Sequence, residues 1–341
     1  MDNANKRWRV LITDKEYAAA SRDVATRVSQ IELVCADESS SAQALATGEV
    51  DALLTITARV DRSLLDALPN LKAVLKMGRN YANVDAAAVR ERALPFGSVV
   101  RKGPNCVAEL ALTLIMALSK DLLISHESVV TGAYRLRGLE PAPSSQTKIA
   151  FHWMHNARVH EVQGKTLGLV GMGEISAELA RRATVMGMRT LYYKRTPMSA
   201  ELESIFSAEY RELPALLSES DYVCLAVPHT PETEKMIGKA ELALIKPTAY
   251  LVNICRGGVV DQDALIETLE QRKIAGAGLD VFDLEPLQED SPLCHLDNVI
   301  LTPHIGGGTG STRQNELTDG LEELIRILSG QPLSVNLSAG R

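Results

Sequence analysis

A glycine-rich turn in the middle of the chain sets narrow limits on its fold. The segment Gly168-Leu169-Val170-Gly171-Met172-Gly173-Glu174-Ile175-Ser176 follows an apolar strand pattern and begins a helical pattern. In such a turn one glycine permits a tight bend, the next lets backbone amides approach a pyrophosphate, and the helix N-terminus attracts negative charge. The turn predicts a Rossmann-type parallel sheet that binds a dinucleotide, with four contact residues: Gly171, Gly173, Glu174 and Ile175. The alternative is an ordinary strand–helix turn.

Strand patterns alternate with helical patterns in two series, one in the first hundred residues and one within 165–301. This alternation predicts the α/β class, with two Rossmann-like or flavodoxin-like parallel-sheet lobes and an interdomain cleft. Because one long helix pattern precedes the second series and another follows it, we expect a substrate domain of residues 1–102 plus 308–341. The dinucleotide-binding domain is then 103–307, including an extended arm at 131–163.

Composition excludes several classes of protein. The 341 residues carry a net charge of −7 without a Lys/Arg block, which argues against a nucleic-acid partner. No run of 18 apolar residues predicts a membrane span. The five scattered cysteines are typical of reduced thiols rather than a disulfide frame or a metal site. With no apolar signal core at the N-terminus, these patterns predict a cytoplasmic protein without a structural metal.

The residues that follow the next strand pattern bear on the choice of cofactor. An NAD site usually has an acidic residue about 20 positions after the glycine turn, where it accepts hydrogen bonds from the ribose. Here Lys194 lies 21 residues after Gly173 and is followed by Arg195. Two cations attract a 2′-phosphate, so we expect NADP(H) to be preferred, with NAD(H) possible. Two solvated surface charges are the alternative.

Three motifs at the ends of later strand patterns supply a cation, a carboxylate and an imidazole. They are Asn253-Ile254-Cys255-Arg256-Gly257-Gly258, Gly278-Leu279-Asp280-Val281-Phe282-Asp283-Leu284-Glu285-Pro286 and Thr302-Pro303-His304-Ile305-Gly306-Gly307. Reduction of a 2-oxo acid by hydride needs a guanidinium for the substrate and an acid that protonates the emerging alkoxide. A carboxylate beside the imidazole keeps that acid charged near neutral pH.

These motifs, in this order, resemble the D-isomer-specific 2-hydroxyacid dehydrogenase family, and the resemblance covers nearly the whole chain. It implies that Arg256 binds the substrate carboxylate and carbonyl, that Glu285 orients and charges His304, and that His304 exchanges the proton. Asp280 corresponds to the family residue that contacts the nicotinamide carboxamide. Further cofactor-lining positions are implied at Pro228, Ile254, Cys255, Gly306 and Gly307.

The N-terminal lobe contributes the loop Gly78-Arg79-Asn80, which corresponds to the family segment whose amides hold the substrate carboxylate. The family usually has small residues after this glycine, so Arg79 and Asn80 either recognise an extra polar group or face solvent. The resemblance implies a homodimer and a reductase of the glyoxylate/hydroxypyruvate type. Two alternatives stay open: a cofactor-sensing corepressor-like protein without catalysis, and a formate or phosphite dehydrogenase of the same fold.

Overall fold

Two α/β units make up the computed structural model, which describes residues 7–37, 39–46, 49–78, 81–145, 153–308 and 311–337. Unit 1 comprises Met1–Gly103 and Gly308–Arg341, and unit 2 comprises Pro104–Gly307. Within the described residues, no helix is both long and apolar enough to cross a membrane. The chain thus leaves unit 1, completes unit 2 and returns.

Unit 1 is built on a five-stranded parallel sheet with the order β2-β1-β3-β4-β5, which is the flavodoxin-like order. Its strands are β1 (Trp8–Ile12), β2 (Ile31–Cys35), β3 (Ala52–Thr55), β4 (Ala73–Met77) and β5 (Phe96–Val99). Its helices are α1 (Ala18–Ala25), α2 (Ala42–Leu45), α3 (Arg62–Asp66), α4 (Ala86–Glu91) and, after unit 2, α12 (Thr312–Leu328).

Unit 2 contains a seven-stranded parallel sheet with the order β12-β11-β10-β9-β6-β7-β8, the Rossmann order with one added strand. The strands are β6 (Thr166–Val170), β7 (Arg189–Tyr193), β8 (Ala208–Tyr210), β9 (Tyr222–Leu225), β10 (Tyr250–Asn253), β11 (Gly276–Leu279) and β12 (Val299–Leu301). The helices are α5 (Gly103–Ser119), α6 (Leu122–Val130), α7 (Glu174–Val185), α8 (Ala200–Phe206), α9 (Leu213–Glu219), α10 (Lys239–Leu242) and α11 (Gln262–Glu270). The two sheets confirm the predicted α/β class.

Each sheet is covered on both faces, as parallel sheets require. In unit 1 the apolar face of α12 packs against β1, β3 and β4 through Leu317, Leu321 and Leu324, all fully buried. The C-terminal segment then pairs antiparallel with β5, since Leu337 N donates to Phe96 O at 2.7 Å. The returning chain therefore completes both the core and one edge of unit 1.

Some elements differ from the sequence expectation. The apolar pattern of residues 105–123 predicts one helix. The structure instead has two helices, α5 and α6, because Asp121 between them adopts the left-handed conformation (φ 45°). Strands β5 and β8 lack a clear apolar alternation and were not predicted. The first part of the predicted arm forms a 3-10 turn at Ala133–Arg137.

Candidate active site

The glycine turn after β6 has the geometry that a pyrophosphate site needs. Gly171 has φ +98°, and a Cβ placed on it would lie 2.6 Å from the carbonyl oxygen of Ala226, so only glycine fits there. A Cβ on Gly173 would meet no atom within 4 Å, which leaves the N-terminus of α7 open to a ligand. Gly173 is the N-cap of α7, and no side chain caps the first turn, which begins with Glu174 and Ile175.

Ser176 replaces the small residue that usually ends this turn. Its side chain is fully buried, and its hydroxyl donates to the carbonyl oxygen of Gly171 at 2.8 Å. The extra polar group is therefore satisfied inside the turn. This bond ties the first turn of α7 to the end of β6 and keeps the glycine bend closed.

The exit of β7 presents two cations beside this turn. Lys194 and Arg195 are both exposed, and neither forms an ion pair with any residue in the described part of the chain. Strand β7 is the neighbour of β6 in the parallel sheet, and Gly171 N donates to Tyr193 O at 2.9 Å. The two positive charges thus follow directly the strand residue that bonds to the glycine turn.

The loop that follows β10 carries Arg256, and Asn253 fixes its shape. The buried Asn253 amide donates to Arg256 O at 3.1 Å and accepts from Cys255 N at 3.1 Å. At Gly257 a Cβ would lie 2.0 Å from the carbonyl carbon of Phe282, so this loop packs directly on the one after β11. The role of Asn253 is not predictable from its motif, because its partners are defined only once the loop is folded.

Glu285 and His304 form a hydrogen-bonded pair at the same edge of the sheet. His304 Nδ1 lies 2.6 Å from Glu285 Oε2, while Phe282 N donates to Glu285 Oε1 at 3.1 Å. Partial burial raises the pKa of Glu285, but the hydrogen bonds from His304 and Phe282 and the charges of His304 and Arg256 outweigh it. The pKa of Glu285 therefore lies below its usual value, and the carboxylate stays ionised.

An ionised carboxylate only accepts hydrogen bonds, so His304 Nδ1 carries the proton in this pair. The other ring nitrogen, Nε2, has no partner among the described residues. The backbone of His304 is in the left-handed region with φ +53°, a conformation that histidine adopts more readily than most residues. Nδ1 of His304 is thus bonded to Glu285, and Nε2, on the opposite side of the ring, faces away from this carboxylate.

Asp280 holds the loop that bears His304. Its buried carboxylate accepts from Thr302 Oγ1 at 2.6 Å, Ile305 N at 2.9 Å and Gly306 N at 2.9 Å. These bonds flank His304 on both sides and fix the loop after β12. The predicted contact of Asp280 with a nicotinamide carboxamide stays a prediction, and the structure adds this second role.

The remaining cofactor-lining candidates lie at the same edge. Ile254 and Cys255 are buried behind Arg256, Gly306 is buried beside Asp280, and Pro228 and Gly307 are exposed. Burial raises the pKa of the Cys255 thiol and outweighs the opposing hydrogen bonds and the charge of Arg256. Cys255 is therefore a protonated packing residue and not a thiolate nucleophile.

Comparison with known proteins agrees with this geometry. Residues 112–306 match the family model described as D-isomer specific 2-hydroxyacid dehydrogenase, NAD binding domain. A glyoxylate reductase from Thermococcus gammatolerans is 42% identical over 291 residues, which cover 84% of this chain and 83% of that protein. The chain belongs to the D-isomer-specific 2-hydroxyacid dehydrogenase family.

Two further relatives span a similar share of this dehydrogenase. A glyoxylate/hydroxypyruvate reductase B from Enterobacter sp. strain 638 is 39% identical over 278 residues, covering 82% of this chain and 81% of that protein. The crystal structure of an NADPH-dependent glyoxylate/hydroxypyruvate reductase from Sinorhizobium meliloti, in complex with citrate, superposes with a TM-score of 0.68. It is 25% identical and covers 97% of both chains. The protein is thus an NAD(P)-dependent oxidoreductase.

In unit 1 of this dehydrogenase, only part of the predicted substrate loop can be placed. Gly78 has φ +89° and follows β4, whereas Arg79 and Asn80 lie outside the described residues. A Cβ on Gly78 would lie 3.2 Å from Cδ of Arg101 and 3.9 Å from Nζ of the buried Lys76. Neither Lys76 nor Arg101 was predicted from the sequence, because a lysine inside a strand pattern and an arginine after β5 belong to no recognisable motif.

The two histidines of the predicted arm that the structure describes, His155 and His160, belong to no cluster of metal-ligating side chains. His160 stacks against Tyr222 and Tyr250, and its Nε2 lies 2.7 Å from the hydroxyl of Tyr222, so it belongs to the core. His155 is exposed, and His152 and Phe151 lie outside the described residues. The described part of the chain contains no group of three metal-ligating side chains.

Proposed function

We propose that this dehydrogenase reduces small 2-oxo acids of the glyoxylate and hydroxypyruvate type with hydride from NADPH, giving D-2-hydroxy acids. The observation that carries the proposal is the 2.6 Å contact between His304 Nδ1 and Glu285 Oε2, with His304 Nε2 left available. This pair follows strands β11 and β12 of a parallel sheet, at the edge where such sheets bind ligands. The substrate type follows the names of the relatives.

The residues of unit 2 fit a dinucleotide. The open position above Gly173 and the uncapped N-terminus of α7 suit a pyrophosphate, and Lys194 and Arg195 suit the 2′-phosphate of NADPH. When bound, the nicotinamide supplies the hydride for the carbonyl carbon. Asp280 and the backbone near Ile254 would face the ring, and the pyrophosphate would rest on Gly171 and Gly173.

The chain's own residues account for the proton and for substrate orientation. Arg256 is exposed at the end of its loop and would hold the substrate carboxylate and polarise the carbonyl. His304 Nε2 would donate its proton to the carbonyl oxygen in reduction and accept it in oxidation. Glu285 stabilises the imidazolium through Nδ1. Gly78, Arg79 and Asn80 would contribute amides for the carboxylate.

A kinetic screen tests this function. Purified protein is mixed with NADPH or NADH and a panel of 2-oxo acids that includes glyoxylate, hydroxypyruvate and pyruvate, and with formate and phosphite plus NADP. We expect NADPH oxidation with glyoxylate and hydroxypyruvate. The comparisons favour neither the corepressor-like protein nor the formate or phosphite dehydrogenase. No turnover with any 2-oxo acid would refute the proposal.

The His304→Ala variant tests the assigned acid. We expect turnover to fall by about 10³-fold, because a positioned acid contributes this much to proton transfer. NADPH binding, followed by nicotinamide fluorescence, should persist. His295→Ala changes another exposed histidine of unit 2 and serves as the matched control. Turnover near the wild-type rate in His304→Ala would remove His304 from the mechanism.

We also propose that the protein is cytoplasmic and forms a homodimer. All five cysteines are free thiols, which suits a reducing compartment. The surface of α6 and the following 3-10 turn exposes large apolar side chains: Leu122, Leu123, Val129, Val130 and Leu136. A patch of this kind is typical of a subunit interface, and we assign it to the partner subunit.

A further inference from the structure

We propose that Asp14 is a positioning residue for the substrate-binding edge of unit 1. The residue is 2% exposed and lies two positions after the end of β1. It accepts hydrogen bonds from three consecutive amides after β3, those of Ile56 at 2.7 Å, Thr57 at 2.5 Å and Ala58 at 2.9 Å. Two hydroxyls also donate to it within 3 Å, Thr57 Oγ1 at 2.7 Å and Thr13 Oγ1 at 2.8 Å, and the hydroxyl of Thr55 lies farther away at 3.5 Å.

Five donors saturate a carboxylate, which offers about four lone-pair sites. Only an anion satisfies this arrangement, because an amide of the same shape would direct its own N–H groups at some of these donors. The segment 56–58 is therefore wrapped around one buried negative charge. Its conformation depends on a residue that lies more than 40 positions earlier in the chain.

A second set of bonds joins this segment to residues 81–85, the described part of the chain after Gly78. Asn83 Nδ2 donates to Ala58 O at 2.7 Å, Val60 N donates to Asn83 O at 2.8 Å, and Asp85 N donates to Val60 O at 2.8 Å. The chain from 55 to 60 and the chain from 81 to 85 are thus joined. Asp14 anchors the first of them, and the first anchors the second.

The location of this network connects it to ligand binding. In the sheet order β2-β1-β3-β4-β5, the connection reverses direction between β1 and β3, and ligands of such sheets bind outside the carboxyl ends of the strands at that point. Asp14 follows β1, and the segment it holds follows β3. The inference rests on the proposed function, in which the neighbouring loop after Gly78 binds the substrate carboxylate.

The proposed function assigns the cofactor to unit 2 and the loop that binds the substrate carboxylate to unit 1. KM for NADPH therefore serves as an internal control when unit 1 is altered. The Asp14→Asn variant is assayed with NADPH and glyoxylate, once the wild-type protein has been shown to turn over this pair. We expect KM for glyoxylate to rise at least ~10-fold, because small displacements of a binding loop cost this much. KM for NADPH should stay within about twofold, since the cofactor residues lie in unit 2.

The direction in which KM for glyoxylate changes distinguishes a positioning role of Asp14 from a purely electrostatic effect of its charge. Removing an acidic charge near an anionic substrate would lower its KM, whereas loss of loop order raises it. Asp61→Asn is the matched control, because Asp61 lies at the same edge and accepts Leu64 N as a helix N-cap, a role that asparagine fills equally well. We expect KM for glyoxylate to stay or fall in this control.

A second variant covers the case in which Asp14→Asn does not fold. Asn83→Ala removes the 2.7 Å bond to Ala58 O from a half-buried side chain, and we expect KM for glyoxylate to rise ~3-fold. Leu324→Ala, a core truncation in α12, reports the effect of lost stability alone. An unchanged KM for glyoxylate in the Asp14 and Asn83 variants, or an equal rise in Leu324→Ala, would overturn the inference. Wild-type inactivity would instead contradict the proposed function.

Discussion

Glu285 determines the charge of the proposed proton donor. Its pKa lies below the usual value despite partial burial, because His304, Phe282 and the charge of Arg256 favour the anion. A group with a lowered pKa stays ionised at every pH above its ordinary value, so Glu285 does not titrate between pH 5 and 9. Any change in rate within that range must arise from another group.

The Glu285→Gln variant tests this pairing. An amide stabilises the imidazolium of His304 less than a carboxylate does, so we expect kcat for glyoxylate reduction to fall by about 10- to 100-fold. Glu289→Gln alters a nearby exposed carboxylate and should leave kcat unchanged. A kcat near the wild-type value in Glu285→Gln would show that Glu285 does not act through His304.

At the level of single residues, motifs indicate the groups that our proposal places at the ligand but not the residues that hold those groups in position. Arg256, Glu285 and His304 stand in recognisable patterns. The side chain of Asn253 bonds to groups of its own loop, and its role appears once the chain has turned there. Asp14 is further from prediction, because its backbone donors lie more than 40 residues away and are brought to it by β3.

At the scale of secondary-structure elements, our proposal attributes the preference for NADPH over NADH to Lys194 and Arg195, which follow β7. We expect the double variant Lys194→Ala/Arg195→Ala to lower kcat/KM for NADPH by about 10- to 100-fold, because two charge-assisted contacts to the 2′-phosphate are lost. The value for NADH should change less than threefold. Arg189→Ala removes a cation from the other end of β7, where it pairs with Glu209, and is the control. Equal use of NADH and NADPH by the wild-type protein would contradict the assignment.

Elements with a strong pattern and clear boundaries can be predicted closely. The sequence indicates strands at Thr166–Val170 and Arg189–Tyr193 and a helix from about Thr312 to Leu328, and these are the bounds of β6, β7 and α12. Strand β5 was missed because Gly97 interrupts it; a Cβ there would lie 2.6 Å from Leu333, on the returning C-terminal segment. The break at Asp121 was missed because no glycine or proline marks it.

For the whole molecule, acid stability should reveal the buried charge in unit 1. Burial alone would raise the pKa of Asp14, but the hydrogen bonds from Ile56, Thr57 and Thr13 outweigh it, so this pKa is lowered in the folded protein. Its stabilisation is therefore present above the unfolded pKa of about 3.9 and is lost as the pH falls below it. We expect Asp14→Asn to lower the free energy of unfolding of unit 1 by about 3 kcal/mol at pH 7.

This difference should shrink at pH 3, which lies below the unfolded pKa, because unfolding there is accompanied by uptake of a proton on the Asp14 carboxylate. The chain has two tryptophans, Trp8 in unit 1 and Trp153 in unit 2, so urea titrations in a Trp153→Phe background follow unit 1 by the fluorescence of Trp8. An equal difference at pH 7 and pH 3 would mean that Asp14 stabilises unit 1 by shape and not by charge.

The proposed dimer makes a prediction about mass. Leu136 is 92% exposed and Val130 is 70% exposed. Contact of these apolar side chains with water is unfavourable, and a subunit interface would remove it. We expect the 37.0 kDa chain to sediment at about twice that mass at micromolar concentration, as a two-fold symmetric pair does. Val130→Asp/Leu136→Glu should sediment as a monomer, because an isologous contact places each introduced charge in the interface twice. Val185→Asp, at an equally exposed position of α7, should leave the dimer intact. A wild-type monomer, or a dimer that survives the double substitution, would show that this apolar surface serves another purpose.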